Sequence, residues 1–198
     1  MSLLVESIKI FNGRIYNLPC HETRANNSRL ELWGYNNPIK FKENIKLTDE
    51  YSRGLVKCRI LFDKTIHEIN FEHYNIKKIR NLKVIESSNI YYPHKYLYRE
   101  GLNKLFAKRD GNDEIIIVKD DKVTDAFYFN IVCCKDESFF TPAEPLLFGT
   151  QRQKLIDSGT ITPKVIFLPE LKNFDSIHLI NAMTPLGKIV IPIDQIFY

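Results

Sequence analysis

Alternating apolar and polar positions are the first signal in the chain. Residues 3–10 (LLVESIKI) alternate as a strand, Asn12-Gly13 marks a hairpin turn, and RIYNL supplies the return strand. After Pro19 the period changes. Residues 20–33 contain no breaker and predict a helix that ends near Gly34. Strand-like alternation returns over residues 55–63, 66–72 (IHEINFE) and 76–86 (IKKIRNLKVIE). The first part of the chain therefore predicts an antiparallel sheet with one helix. Pro93 ends the extended run NIYY, and Leu97, Leu102, Leu105 and Phe106 then recur at helical spacing between Lys95 and Arg109, closed by Gly111. Short β runs follow: EIIIVKD, a turn at Asp120-Asp121, DAFYFNIVCC and SFFTP. Gly149 opens a second helix over residues 150–158, and KVIFL, SIHLINAM and GKIVIPI complete the pattern as strands. The expected fold class is α+β, in two small packed lobes, 1–92 and 93–198. No flexible Gly/Ser linker lies between them.

Composition narrows the class without changing that picture. The chain has 198 residues, 44% of them hydrophobic and 26% charged, which suffices for a buried core and excludes intrinsic disorder. No run approaches the ~18–20 apolar residues of a membrane span. Glu6 interrupts the N-terminal apolar stretch and no basic residue precedes it, so a signal peptide is not expected. The formal charge is +4, yet the 28 Lys and Arg are scattered. That argues against nucleic acid and suits a small anionic ligand. Cys20, Cys58 and the adjacent Cys133-Cys134 lack metal or disulfide spacing, and the five His form no metal pattern. The expectation is a cytoplasmic protein with reduced thiols and no metal.

Candidate chemistry lies mainly in the second half. Four features occur in order: a lysine in HKYLYR (Lys95), an acid in VTDAFYFN (Asp125), a glycine opening a helix in FGTQR (Gly149), and a polar turn in INAMTP. Each alone is ordinary. Together they meet the needs of pyridoxal 5′-phosphate. A buried lysine forms an imine with an aldehyde. A carboxylate keeps a pyridine nitrogen protonated, and a glycine turn into a helix N-terminus presents amides to a phosphate. His94 adjoins Lys95 in sequence only and is not counted, and Tyr91 and Tyr92 read as sheet packing.

Over nearly its whole length the chain resembles the class IV (fold-type IV) pyridoxal phosphate enzymes, with a D-amino-acid aminotransferase-like architecture. NGRIYNLPCHETR is similar to the hairpin and His-x-x-Arg of that family, whose Arg binds the cofactor phosphate; here it is Arg24. The resemblance makes Lys95 the imine lysine. Asp125 takes the place of the carboxylate on the pyridine nitrogen, where the family usually has Glu, and Asn130 matches the Asn that follows it. FGTQR resembles the phosphate loop, giving Gly149, Thr150 and Gln151 with Arg152 next. INAMTP resembles the Asn-Ala turn beside the cofactor, giving Asn181 and Ala182. The run from Lys95 to Arg99, with Glu100 where aminotransferases place Tyr, looks like aminodeoxychorismate lyase, an enzyme of folate biosynthesis. The resemblance then implies release of pyruvate and 4-aminobenzoate and a homodimer. The alternatives are an amino-acid aminotransferase or a degenerate, non-catalytic relative. Arg59, mid-strand, is the candidate for a substrate carboxylate.

Overall fold

The hairpin forms where Asn12-Gly13 demands it. In the computed structural model, which describes residues 3–198, strand β1 (Leu4–Phe11) turns back into the short β2 (Arg14–Ile15). Asn12 and Gly13 have φ of 47° and 75°, the left-handed pair that a two-residue hairpin needs. Helix α1 (Leu18–Trp33) has proline in its first turn. It ends on Gly34, whose N–H donates to Leu30 O at 2.8 Å in a left-handed cap. After the single turn of α2 (Phe41–Asn44), β3 (Leu55–Phe62) pairs antiparallel with β1 from Leu4↔Phe62 to Phe11↔Leu55, and β4 (Ile66–His73) completes the sheet β2-β1-β3-β4. Alternation sends Leu4, Ile8, Ile10, Val56, Cys58, Ile60 and Phe62 to one face, where Ala25 of α1 and Phe41 of α2 cover them. Glu6 stands in that same inward register.

The chain divides into two compact units. The first holds this sheet and its helices up to Ile76, together with His94–Tyr98; the second holds Lys77–Pro93 and Arg99–Tyr198. The chain thus passes between units at 76/77, 93/94 and 98/99, where the pattern suggested one passage. His94–Tyr98 joins the first unit by backbone pairing. Val5 N–H donates to Lys95 O and Leu97 N–H to Leu3 O, both at 2.9 Å, around an antiparallel bridge of Leu4 with Tyr96.

In the second unit β5 (Leu82–Glu86) occupies only the end of the strand predicted over 76–86. The helix predicted from Lys95 shrinks to α3 (Glu100–Phe106). The residues before it already spend their amides and carbonyls on β1 and cannot enter a helical ladder. β6 (Glu114–Lys119) runs parallel to β5. A turn at Asp120-Asp121, both with positive φ, leads into β7 (Lys122–Ala126), followed by β8 (Asn130–Lys135) and β9 (Ser138–Pro142). Helix α4 (Thr150–Asp157) follows Gly149. β10 (Thr162–Lys164) pairs parallel with β9, so KVIFL is mostly not strand: Pro169, which lacks an N–H, sits in a 3-10 segment over Leu168–Asn173. β11 (Ser176–Ile180) pairs with β8, β12 (Val190–Pro192) with β11, and β13 (Ile196–Phe197) with β5. Ile115, Ile116 and Ile117 are all fully buried, as a strand covered on both faces requires. Among the described residues no helix is long and apolar enough to cross a membrane.

Candidate functional site

A carboxylate on an apolar sheet face must find partners, and Glu6 finds two. Its Oε2 lies 2.7 Å from His21 Nδ1, and Arg24 donates through Nε to Oε1 at 2.8 Å and through Nη2 to Oε2 at 2.6 Å. His21 and Arg24 are one helical turn apart on α1, so both reach the same strand residue. Burial pushes the Glu6 carboxyl up, but the charges of Arg24 and His21 and their hydrogen bonds outweigh it and hold it well below the usual range. An ionised carboxylate only accepts, so the His21 proton resides on Nδ1. Burial also lowers the His21 imidazole; Glu6 opposes this, and the charges of Arg24 and Lys95 reinforce it. The Lys95 amine thus lies within electrostatic reach of His21. Arg24 and Lys95, both expected from sequence, thus gather around a Glu6–His21 pair that the sequence reading missed. The missed signal was legible: Glu6 alternates in phase with Leu4, Ile8 and Ile10.

The rest of the first unit adds two placements. His94, buried, meets Ser28 Oγ through Nδ1 at 3.1 Å and stands 3.6 Å from Glu31 Oε2 through Nε2. Arg59 pairs with Ser7 and Asn70 in the ladder. Directly opposed residues share a face, so Arg59 lies on the face opposite Glu6, which opposes Ile60.

The second unit gathers Asp125, Asn130, Gly149, Thr150 and Arg152. Asp125 ends β7 and opposes Asn130 at the start of β8. Asn130 Nδ2 donates to Asp125 Oδ1 at 2.6 Å and to Leu147 O at 2.9 Å, while Leu147 N–H donates to Asp125 Oδ2 at 3.0 Å. Burial raises the Asp125 carboxyl to about 6, against the hydrogen bonds and the charge of Arg152. Gly149 is sterically obligatory, because a Cβ there would sit 1.8 Å from Asn130 Oδ1. Gly149, the N-cap of α4, has no side chain with which to cap the helix, and Thr150 and Gln151 lie in its first turn. Arg152 is buried, donates to Pro142 O at 2.8 Å, and has no partner for Nε among the described residues. Asn181 Oδ1 accepts from the Met183 and Thr184 amides at 2.9 Å each, which folds the tight turn containing Ala182, and its Nδ2 donates to Tyr128 O at 3.2 Å. Thr184 Oγ1 is buried without a partner among the described residues.

These residues fit a pyridoxal phosphate. A carboxylate offers about four acceptor positions. Asp125 uses three of them, on Asn130 and on the Leu146 and Leu147 amides, and retains one for a protonated ring nitrogen. Gly149 lets the Asn130 side chain pack directly against the loop, and backbone amides at a helix start suit a phosphate.

Comparison with known proteins points the same way. Residues 3–193 match the family of class IV amino-transferases. An uncharacterised protein of Haemophilus influenzae is 36% identical over 185 residues, covering 92% of this chain and 98% of its own. The crystal structure of a candidate 4-amino-4-deoxychorismate lyase from Haemophilus somnus superposes with a TM-score of 0.87 at 30% identity, over 94% of this chain and 98% of that one. A hypothetical aminotransferase from Mycobacterium tuberculosis in a PLP-bound form superposes with a TM-score of 0.76 over 94% of this chain and 80% of its own, and at 15% identity it speaks for the fold alone.

Proposed function

The chain belongs to the class IV aminotransferase family, and from that premise we propose that it is a pyridoxal-phosphate-dependent lyase acting on 4-amino-4-deoxychorismate. The observation that carries the cofactor assignment is the Asp125–Asn130–Gly149 arrangement: a buried carboxylate, an amide that orients it, and a glycine that the amide leaves no room to replace. Bound pyridoxal phosphate supplies an aldehyde and an electron-withdrawing ring. Lys95 Nζ would be the amine that holds the aldehyde, and the same amine would serve as the base for the substrate α-proton. Arg24, oriented by Glu6, and the amides of Thr150 and Gln151 bind the phosphate. Asp125 keeps the ring nitrogen protonated, with Asn130 fixing its carboxylate, and Asn181 and Ala182 form the turn beside the ring. Arg59, expected to contact a substrate carboxylate, leaves the sheet on the face opposite Glu6 and is not included in this site. The lyase, rather than another activity of the family, is favoured by the likeness to the Haemophilus somnus protein and by the Lys95–Arg99 run. A cytoplasmic homodimer is part of the same proposal.

Amino-acid transamination is the second assignment, favoured by the match of residues 3–193 to the class IV amino-transferase family. One experiment separates the two. Purified protein is loaded with pyridoxal phosphate, given 4-amino-4-deoxychorismate, and assayed for 4-aminobenzoate and pyruvate. The lyase returns the cofactor unchanged, whereas a transaminase given an amino acid alone leaves it as pyridoxamine phosphate. Lys95→Ala is expected to abolish product formation and the lysine-linked absorbance. Unchanged turnover in that variant would remove the enzyme assignment.

A further inference from the structure

Outside the residues already assigned, the second unit carries a buried carboxyl and a half-buried guanidinium on either side of one residue. Glu114 opens β6 and is almost wholly buried. Its Oε1 accepts from the N–H of Ile115 at 2.9 Å and of Phe127 at 3.1 Å. Arg99, just before α3, donates through Nη2 to the carbonyl of the same Phe127. Its guanidinium lies 4.4 Å from the Phe127 ring centroid and 4.6 Å from that of Tyr128, while Phe106 stacks on Phe127 at 4.3 Å. Arg99 Nε is buried with no partner among the described residues, an unfavourable state for a donor that persists where the rest of the group is held.

Phe127 is not an arbitrary residue to hold. It stands two positions after Asp125 in a turn closed by Ala126 N–H donating to Phe129 O at 2.9 Å, with Asn130 next. Tyr128 O in that turn accepts from Asn181 Nδ2 at 3.2 Å. One turn therefore joins Asp125 and Asn130 at its two ends to Asn181 beside it.

We propose that Arg99 and Glu114 are positioning residues: gripping the N–H and C=O of Phe127 from opposite sides, they set the turn that holds Asp125, Asn130 and Asn181 in place for the cofactor. The role rests on the assignment of those three residues to pyridoxal phosphate, but the grip itself does not. Arg99 is thus more than a mark of the lysine motif, and Glu114 joins the apparatus from a strand that carries no motif.

The test uses the full chain without cofactor and the variants Arg99→Met, Arg99→Lys, Glu114→Ala and Glu114→Gln. Amide hydrogen exchange is followed in residues 124–131 and 178–185, with residues 55–73 as reference, and pyridoxal phosphate affinity is then titrated. Arg99→Met and Glu114→Ala are expected to speed exchange in both segments, leave the reference unchanged and weaken cofactor binding, each by about tenfold, the scale of one lost charge-assisted hydrogen bond. Glu114→Gln keeps an acceptor for both amides and is expected neither to speed exchange in either segment nor to weaken cofactor binding. Arg99→Lys keeps one donor without the flat stacking and is expected between the two, which also serves if Arg99→Met does not fold. Unchanged exchange in Arg99→Met and Glu114→Ala overturns the grip. Loosened exchange with unchanged cofactor affinity overturns its positioning role. If the parent itself binds no pyridoxal phosphate, the cofactor assignment falls, and the exchange data still decide the grip.

Discussion

At Gly149 the difference between a hydrogen and a methyl decides whether Asp125 keeps its partner. A Cβ would meet Asn130 Oδ1 at 1.8 Å, so Gly149→Ala forces the Asn130 side chain away from Asp125 and Leu147. Two buried hydrogen bonds are then lost, one to a carboxylate. The expected destabilisation is about 2–4 kcal/mol, read from chemical denaturation, and a change below about 0.5 kcal/mol would mean that Asn130 is not fixed as described. The sequence pointed to Gly149 as the opening of a helix, not as a neighbour of Asn130. That contact joins residues nineteen positions apart through the packing of a loop on a strand end, which no local pattern encodes. Glu6 is the opposite case. Its inward register was written in the alternation of β1 and required only the rule that a buried carboxylate needs a partner.

At the scale of elements, the segment around Lys95 shows where local pattern fails. Leu97, Leu102, Leu105 and Phe106 have helical spacing, yet only Glu100–Phe106 is helix, because His94–Tyr98 is paired with β1. Tyr96 and Tyr98 suit an extended strand, but nothing local announces a partner some ninety residues upstream. The pairing fixes the backbone of Lys95 from both sides, through its own carbonyl and through the amide of Leu97. Leu97→Pro removes that amide. It is expected to cost about 1–3 kcal/mol in chemical denaturation, while Tyr98→Ala, at a largely exposed side chain, stays near the parent. Equal stability of the Leu97→Pro variant would show that Lys95 is not held by β1. Elements bounded by strong local chemistry were legible almost to the residue: the Asn12-Gly13 hairpin, α1 with its Gly34 cap, and α4 after Gly149.

At the scale of the whole molecule, buried ionisable groups pull stability in opposite directions with pH. Glu6 is lowered, so its contribution is present above its unfolded pKa and is lost as the medium acidifies. Glu114 is raised by burial to about 7 and Asp125 to about 6, so their contributions are complete in acid and are lost as pH rises through those values. His21 and His178, lowered by burial, oppose that loss, since an unfolded histidine takes up its proton first as pH falls. The parent profile therefore blends opposed slopes, and only a difference between proteins isolates one group. Glu114→Gln leaves both hydrogen bonds from Ile115 and Phe127 an acceptor and removes only the ionisation. The variant is expected to match the parent near pH 4.5 and to gain on it as pH rises toward 7, by at most about 3 kcal/mol, as the shift from 4.5 to about 7 implies by linkage. Denaturation of both proteins at a series of pH values measures the gap. A gap constant with pH would mean that Glu114 titrates as an ordinary carboxylate, and the Phe127 amide would then be held by an ionised partner throughout.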